Sequence, residues 1–590
     1  MQIRRIFTRR LSVTIAMISI ALVGASVEAQ TYLNGQMPWH PAVLDSQGLV
    51  VAWYHPEKNL GYDHFLRLDW DFLEHKVPIE RRNGLKVYLT DEIYVGDTLQ
   101  GVSPEPVTRE WQHNPASLFA HQTDALLGWY PYSGDREAIE VVRGMLDYQL
   151  AHGTTASDWD WAGVPFATSC TLSKEYGGCI QDMPRKFFGG IETDKVGELG
   201  LSYVQFYELT GDRKYLEAGI KCANQLAKHV RPGDAYHTPW PYRVDAHSGS
   251  VLAGEEYGGM IVAPVRLFDE LIRIKEGSDP VGYKKARDMA WAWVLSYPLN
   301  KASAAWDKWS GYYEDIPKDT VNVNDMSSMM TAYYILTRDD PASVDQNWGL
   351  DVGHLLDRSR LLLGRGPYFG AWAIDEQMRP DGAVIGGGFY GDTEADVAQP
   401  PRGGGLLGAA ERGCCNRAGL VCRTSAWGAI NAMYFAKIGD GQARDYAYRS
   451  LNYATYFMES DGKINAAGDG FGDNYWFEDG HADAGRSFIW AMGAVPEFAP
   501  IGEDHLLRST SVVQKMAYSS SGIEYQTFDN AATEILRLTF KPAYVAAGAA
   551  HLTLREALRD DAYTIRDLPG GDYEIRVRHV RSNQISIKKS

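Results

Sequence analysis

Apolar residues recur at spacings of three and four along most of the chain, a period typical of amphipathic α-helices. Three segments repeat one unit, in which an apolar stretch ends at a Gly-Asp pair and a more charged stretch follows. The pairs are Gly134-Asp135, Gly211-Asp212 and Gly439-Asp440. Glycine adopts the left-handed conformation that closes one helix, and aspartate accepts the exposed N–H groups that open the next. Each unit therefore predicts a helical hairpin.

Three further hairpins are predicted without the Gly-Asp signal. Residues 261–274 pair with 283–295, residues 326–336 pair with the helical stretch that follows them, and residues 485–492 pair with an earlier element, for which 66–73 is the candidate. The first helix of a pair is rich in Gly, Ala and aromatic residues, whereas the second carries Lys, Arg and Glu on one face. This asymmetry favours an inner ring of helices covered by an outer ring, an (α/α)6 toroid, with an irregular helical bundle as the alternative.

From about Leu506 the period changes to that of β-strands. Polar and apolar residues alternate in four runs, at 511–516, 522–528, 533–540 and 573–578. This pattern predicts a small C-terminal antiparallel β-sandwich over 506–590, which follows a mainly α domain over 30–505. No catalytic grouping occurs in these strands, so we expect the sandwich to be a structural cap on the helical domain.

The first 29 residues are predicted to be a targeting segment rather than part of the fold. Two arginine pairs precede the apolar run 11–23, and small residues ending at Ala29 follow it. This pattern is typical of a cleaved signal peptide, with an uncleaved anchor as the alternative. We therefore expect a periplasmic or secreted protein. An oxidising compartment would permit a disulfide between Cys170 and Cys179, which bracket a short loop.

Composition narrows the choice of partners. The 590 residues include 58 Lys+Arg against 75 Asp+Glu, a formal net charge of −17. Nucleic-acid binding is excluded on this ground, because it needs a basic face that neutralises phosphates. Aromatic residues make up 12% of the chain, with 17 Trp and 34 Tyr, more than packing alone needs. This excess indicates a surface that stacks on flat ligands.

Carboxylates and aromatic residues are concentrated in the loops that precede the predicted inner helices. Aromatic faces stack on sugar rings, and two carboxyl groups can supply the acid and base for glycosidic cleavage. We predict that Asp194 and one of Glu255, Glu256 or Asp325 form this catalytic pair. Helix capping would also explain Asp194 and Asp325, and a solvated loop would also explain Glu255-Glu256.

Eight residues are predicted to bind the substrate. They are Trp159, Trp161, Tyr257, Tyr313, Arg423, Trp476, His481 and Arg486. The tryptophans alternate with aspartates in an exposed, two-faced loop, for which loop packing is the alternative. The two arginines are candidates to hold a uronic-acid carboxylate bidentately, and structural salt bridges are their alternative role.

One stretch resembles a known family. The run Glu192-Thr193-Asp194, followed by an apolar helix and Thr210-Gly211-Asp212, is similar to the second inner hairpin of unsaturated glucuronyl and rhamnogalacturonyl hydrolases. The resemblance implies a six-hairpin glycosidase-like fold over roughly residues 40–505, a carbohydrate substrate and Asp194 as general acid/base. Where that family has a partner Asp, this chain has Ser117, and Asp124 is the nearest acid.

The cysteines carry a second resemblance, to zinc-thiolate β-L-arabinofuranosidases. Cys422 lies 17 residues before Gly439, and Cys414-Cys415 lies just upstream. The resemblance implies thiolates that hold Zn²⁺, one of which could attack a sugar carbon. The glutamate that this family places two residues before its helix cysteine is Leu420 here. Buried cysteines or a disulfide are the alternative, and no cofactor is our expectation.

Together these patterns predict an exported glycoside hydrolase acting on oligo- or polysaccharides, uronic-acid-containing chains among them. A polysaccharide lyase with Tyr257 or Tyr313 as base is the first alternative. A non-catalytic glycan-binding protein is the second, and a sugar epimerase is the third.

Overall fold

The computed structural model describes residues 40, 43, 45–46, 51–54, 60–79, 84–89, 92–95, 107–110, 114–170, 176–179, 187–252, 258, 261–302, 321–323, 325–360, 376–378, 384–385, 421–464 and 477–589. Twelve α-helices within these ranges form two concentric rings. The inner helices are α2 (Pro115–Ser133), α4 (Thr193–Thr210), α6 (Val262–Ile274), α8 (Asp325–Leu336), α10 (Val421–Ile438) and α12 (Asp483–Ala494). The outer helices are α1 (Asp63–Asp71), α3 (Glu137–His152), α5 (Arg213–His229), α7 (Pro280–Ser296), α9 (Trp348–Arg360) and α11 (Gly441–Ala454).

The inner helices close into a ring. Each packs against the next, from α2 through α4, α6, α8 and α10 to α12, and α12 packs back on α2. Each of α3, α5, α7, α9 and α11 covers the inner helix before it, whereas α1 pairs with the last helix, α12. Phe65 of α1 and Phe488 of α12 join this sixth hairpin, with ring centroids 4.3 Å apart. The predicted (α/α)6 toroid is confirmed.

Burial explains why the inner helices lack the charged face of the outer ones. In α4, 15 of 18 residues are buried, whereas α5 buries 7 of 17. Small residues let the neighbours of α4 approach closely. A Cβ on Gly197 would lie 2.5 Å from the backbone nitrogen of Pro264 in α6, and one on Gly200 would lie 2.8 Å from the Cβ of Cys222 in α5. Glycine at these two positions therefore sets the spacing between the helices.

The three Gly-Asp turns form as predicted. Gly134, Gly211 and Gly439 all adopt a φ of 77°, in the left-handed region that favours glycine. The aspartates that follow accept the backbone N–H two residues later, with N···O distances of 2.9, 3.2 and 3.0 Å for Asp135, Asp212 and Asp440. Each turn thus ends an inner helix and caps the outer helix after it.

Short strands accompany the helices in the described part of the ring. They are β1 (Glu92–Val95), β2 (Val107–Glu110), β3 (Gly190–Glu192), β4 (Arg243–Asp245), β5 (Val321–Val323), β6 (Glu376–Met378) and β7 (Val384–Ile385). Strand β3 pairs antiparallel with β4, opposing Glu192 and Arg243. Strand β3 ends directly before α4, so its pairing with β4 fixes where that helix begins.

The C-terminal region is a sandwich of two five-stranded sheets, as predicted. Its strands are β8 (His505–Ser509), β9 (Val513–Ser519), β10 (Gly522–Thr527), β11 (Ala532–Leu538), β12 (Tyr544–Ala547), β13 (Ala550–His551), β14 (Thr553–Leu554), β15 (Ala562–Asp567), β16 (Tyr573–His579) and β17 (Gln584–Lys588). The sheet orders are β13-β12-β17-β10-β9 and β14-β15-β16-β11-β8, antiparallel except for the pair β14–β15. Apolar side chains such as Leu536, Ile575 and Ile587 fill the space between them.

A buried arginine joins the sandwich to the end of the ring. Arg537 of β11 is 1% exposed and donates to Asp572 Oδ2 at 2.9 Å. It also donates to the carbonyl oxygens of Pro496 and Ala499, at 3.0 and 2.6 Å, just beyond α12. Its charge and its N–H groups are thereby satisfied in the interior.

The predicted disulfide is present. Cys170 and Cys179 are bonded and close the loop between them. In the described part of the chain, no helix combines the length and the apolar character needed to cross a bilayer.

Candidate active site

Eight charged or polar side chains gather where four inner helices begin, and we call them the central cluster. They are Ser117 and His121 of α2, Asp194, Lys195 and Glu198 of α4, Arg423 of α10, and Asp483 and Arg486 of α12. None of them is more than 8% exposed. Buried charges are retained where they are paired, and their protonation is strongly perturbed by their surroundings.

The start of α4 is fixed by contacts with β4 and the residues before it. Arg243 Nε donates to Glu192 Oε1 at 2.9 Å, and Thr193 Oγ1 donates to the carbonyl of Pro241 at 2.8 Å. Glu192 occupies the N-cap position, and Asp194 lies within the first turn. Helix capping, the alternative role for Asp194, is therefore excluded.

Asp194 has one carboxyl oxygen without a partner. Its Oδ2 accepts from Lys195 Nζ at 3.0 Å, whereas its buried Oδ1 has no hydrogen-bond partner among the described residues. Burial raises the pKa of Asp194 to about 7; the Lys195 charge opposes this shift, and the Glu198 and Glu192 carboxylates add to it. A carboxyl group with this pKa is suited to donate or accept a proton near neutral pH.

Glu198 lies one helical turn beyond Asp194 and has the opposite protonation behaviour. Its carboxylate accepts from the Ser117 hydroxyl at 3.3 Å and lies 3.5 Å from His121 Nε2 and 3.8 Å from Lys195 Nζ. Burial alone would raise the pKa of Glu198, but the surrounding positive charges, led by Lys195 and His121, lower it to about 2. Glu198 is therefore ionised wherever Asp194 titrates.

His121 lies between two carboxylates. Its Nδ1 is 2.9 Å from Asp483 Oδ1, and its Nε2 faces Glu198. Burial and the Arg486 charge lower the pKa of His121, but Asp483 and Glu198 outweigh them and raise it to about 9. The ring is thus an imidazolium at neutral pH.

Asp483 joins the histidine to α12. It contacts both His121 and Arg486. Burial opposes ionisation, but the charges of Arg486, His121 and Arg423 hold the pKa of Asp483 well below its usual range. Arg486 also lies 3.7 Å from Asp124 Oδ2, one turn below His121 on α2.

The structure brings three of the predicted residues, Asp194, Arg423 and Arg486, into the central cluster. The contact of Arg486 with Asp483 is the structural salt bridge that was its alternative role. Asp325 begins α8, but its side chain is not described. Seven others lie outside the described residues, namely Glu255, Glu256, Tyr257, Tyr313, Trp476, Cys414 and Cys415. Cys422 is buried in the first turn of α10.

Two predicted substrate-binding residues have side chains that pack inside the protein. Trp161 is 1% exposed and stacks on His229 with a centroid distance of 4.3 Å, so its faces are covered by the protein itself. His481 is fully buried, with Nδ1 2.6 Å from Asp69 Oδ1 and Nε2 accepting the backbone N–H of Ile464 at 3.4 Å. Both ring nitrogens have partners within the protein, and substrate binding by Trp161 and His481 stays a prediction.

Trp159 is only half-buried. Its ring makes edge contacts with Phe166 and His247, at centroid distances of 6.0 and 5.5 Å. It would meet a Cβ on Gly189 at 3.4 Å, directly before β3. Substrate stacking by Trp159 stays a prediction.

Sequence reasoning missed His121, Lys195, Glu198 and Asp483 as members of the site. A signal was present for two of them, because Lys195 and Glu198 interrupt a helix whose other positions are mostly apolar. A charge that faces an inner ring rather than solvent needs a partner. Glu198 contacts Ser117 and His121 of another helix, whereas Lys195 contacts Asp194 and Glu198 of its own helix.

Possible metal ligands in the described part of the chain lie away from the central cluster. Asp63, Glu503 and His505 come together near β8, but the Arg67 guanidinium contacts Asp63 at 2.6 Å and Glu503 at 3.5 Å. A cation thus already occupies that position. A second group, Glu74, His75 and Glu137, lies at the outer surface of the ring.

No protein-family model matches the chain, and no curated protein matches its sequence. Among solved structures, D-mannose isomerase is similar with a TM-score of 0.47 and 11% identity, covering 76% of this chain and 99% of that one. Cellobiose 2-epimerase from Spirochaeta thermophila has a TM-score of 0.44 and 9% identity, covering 65% and 86%. An unsaturated glucuronyl hydrolase specific for heparin has a TM-score of 0.40 and 10% identity, covering 74% and 98%. All three are sugar-processing enzymes, and the likeness extends to the fold alone.

Proposed function

We propose that this chain is a sugar-processing enzyme whose central cluster transfers protons in the hydrolysis of a glycosidic bond. One arrangement carries the proposal: Asp194 and Glu198, four residues apart on α4, are buried beside the same Lys195 Nζ, at 3.0 and 3.8 Å, and their pKa values are displaced in opposite directions. Glycosidic hydrolysis uses two carboxyl groups, one protonated and one ionised at the same pH. This pair meets that requirement because the pKa of Asp194 is raised and that of Glu198 is lowered.

In the proposed mechanism, Asp194 donates its proton to the glycosidic oxygen as the bond to the anomeric carbon breaks. Lys195, 3.0 Å from Asp194 Oδ2, stabilises the carboxylate that this transfer leaves. Glu198 is ionised throughout, and its negative charge favours the positive charge that develops on the sugar ring. A water molecule then bonds to the anomeric carbon, and the proton that it loses returns to Asp194.

Sugar isomerisation or epimerisation is the second candidate. The observation that favours it is the His121 imidazolium, held between Glu198 and Asp483, in the same cluster as the Asp194 carboxyl group with its raised pKa. Such chemistry moves a proton from a carbon next to a carbonyl group, with Asp194 as base and His121 as the donor to the carbonyl oxygen. No glycosidic bond breaks in that reaction.

We also propose that the protein is exported. The signal-like segment over 1–29 supports this, and so does the Cys170–Cys179 disulfide, since disulfides persist in oxidising compartments. Edman sequencing of the protein recovered from the periplasm or medium tests it. An N-terminus at Gln30 is expected, and an intact Met1 on a protein kept in the cytoplasm contradicts export.

The experiment that tests the function is a panel of neutral and uronic oligosaccharides with three readouts, using the full chain and Asp194→Asn. New reducing ends that depend on Asp194 support hydrolysis. Deuterium from heavy water on a sugar carbon without cleavage supports the second candidate, and ultraviolet absorbance of an unsaturated product supports a lyase. Saturable binding without any product on long incubation supports a glycan-binding protein and contradicts the proposal.

A further inference from the structure

A cavity lies at the end of the inner helices that is opposite to the central cluster. Its volume is 280 Å³, and it is enclosed by the later turns of the inner helices and by β8 with the residues after it. We call it the rear chamber. Its mouth is marked by exposed Thr510 and by Arg273 and Arg338, whose side chains are 34% and 32% exposed. A small solute can therefore enter from the surface between ring and sandwich.

Both arginines at the mouth are paired with carboxylates. Arg338 donates to Asp269 Oδ2 at 2.7 Å, and Arg273 donates to Glu270 Oε1 at 2.8 Å. Arg273 also contacts Asp529 of the sandwich at 2.5 Å. Both arginines are therefore paired, and the three carboxylates around them outnumber the two guanidinium groups.

The deep end of the chamber carries a surplus of positive charge. Among the described residues Arg266 forms a loose ion pair, 3.8 Å from Asp124 Oδ2, and that carboxylate is shared with Arg486. Arg508 of β8 donates to the Thr337 carbonyl at 3.3 Å and forms no ion pair with a carboxylate in the described ranges. Burial lowers the pKa of Arg508, and the nearby Tyr333 hydroxyl and Asp339 carboxylate oppose this shift.

The Tyr333 hydroxyl is a further hydrogen-bond donor at the deep end of the chamber. The Tyr333 ring stacks on Trp490 at a centroid distance of 4.0 Å and lies under the Arg266 guanidinium at 5.2 Å. Its hydroxyl forms no hydrogen bond within the part of the chain that the structure describes. The charges of Asp124, Arg266, Arg508 and Arg486 all act on the pKa of Tyr333, and its side chain lines the chamber together with Arg266 and Arg508. One O–H donor and two guanidinium groups thus line the same end.

We propose that the rear chamber binds a small oxyanion, a carboxylate or an inorganic oxyanion no larger than a monosaccharide, between Arg266, Arg508 and Tyr333. Guanidinium groups hold planar oxyanions bidentately, and a chamber of 280 Å³ is at the small end of ligand pockets. The site is separate from Asp194 and does not depend on the proposed function. It would take either a sugar acid or a free ion such as phosphate.

Calorimetric titration of the full chain tests this site at constant ionic strength. The probes are glucuronate, inorganic phosphate and inorganic sulfate, with glucose and chloride as controls for size and for charge. We expect saturable binding of at least one oxyanion and none of glucose. Binding of glucuronate alone identifies a sugar acid, and binding of phosphate or sulfate alone identifies a free ion. Absence of saturable binding for all three oxyanions overturns the proposal.

Two variants localise the binding. Arg508→Gln should weaken it about tenfold or more, since a charged donor is lost, whereas Arg555→Gln, an exposed arginine of the sandwich, should leave it unchanged. Tyr333→Phe removes only a hydroxyl, keeps the stacked ring and should weaken binding by roughly fivefold, so the test stands even where Arg508→Gln does not fold. The proposal is also overturned if Tyr333→Phe leaves binding unchanged and Arg508→Gln, where that variant folds, does the same.

Discussion

Lys195 Nζ lies 3.0 Å from the Oδ2 of its chain neighbour Asp194, and yet the pKa of Asp194 is raised to about 7. An ammonium at this distance would by itself lower the pKa of the carboxyl group. Burial is the larger effect, because Asp194 is only 4% exposed, and the neighbouring carboxylates of Glu192 and Glu198 act in the same direction. Lys195 therefore orients a carboxyl group that keeps its proton close to neutral pH.

Replacing Asp194 with Asn should lower kcat/KM by about 10² to 10⁴, the usual contribution of a general acid. The fold should persist, because Asn is nearly isosteric. Steady-state kinetics and thermal unfolding measure the two effects. Asp212→Asn on the same hairpin is the matched control, and since Asn caps a helix as well as Asp, both quantities should stay unchanged. A kcat/KM of Asp194→Asn within twofold of the wild type would remove Asp194 from the mechanism.

The pH dependence of kcat/KM should have a single limb. Activity should fall as the pH rises through about 7, because the acid form of Asp194 is lost. No rising limb should occur between pH 4 and 6, because the pKa of Glu198, about 2, keeps it ionised. A pH–rate profile from pH 4 to 9 tests both statements. A rising limb with a midpoint near 5 is incompatible with the assigned role of Glu198.

The same carboxyl group should make the fold less stable as the pH rises. Asp194 has a higher pKa in the folded state than its ordinary value of 3.8, so between about pH 4 and 7 the folded chain binds more protons than the unfolded one. The free energy of unfolding therefore decreases across this window. Urea unfolding at pH 4, 5.5 and 7 should show wild type losing stability relative to Asp194→Asn. Parallel curves would show that Asp194 is not protonated in the fold.

Asp483→Asn should lower the free energy of unfolding by about 3 to 5 kcal/mol, because it leaves the buried His121 and Arg486 without their shared carboxylate. Urea denaturation measures the change. Asp288→Asn on α7 breaks an exposed pair with Lys284 and serves as the control, with an expected loss below about 1 kcal/mol. Equal losses in the two variants would mean that Asp483 holds no such network.

The hairpins were predictable because their signals are local. Gly211 and Asp212 end one helix and open the next within two residues. The start of α4 is equally local, which is why the sequence could place Asp194 at the beginning of an inner helix. Pairing of α1 with α12 was named only as a candidate, since no local signal joins elements at opposite ends of the ring. The change from the helix period to the strand period likewise predicted a domain boundary near Leu506.

The rest of the site depends on ring closure and could not be predicted. Glu198 of α4 and Asp483 of α12 reach His121 from helices nearly 300 positions apart in the sequence, and only the closed ring brings them together. The burial of Trp161 could not be predicted either, because the ring that stacks on it belongs to His229 of α5. When an element distant in the sequence buries a side chain, the local pattern of polar and apolar residues does not reveal it.

The titration of Asp194 itself is the most direct test of this account. Infrared difference spectroscopy of wild type against Asp194→Asn isolates the C=O band of a protonated carboxyl group. The account predicts a band that is present at pH 5, disappears with a midpoint near pH 7 and is missing from the variant. A band absent at pH 5, or one that titrates near pH 4 as in an exposed aspartate, would contradict it.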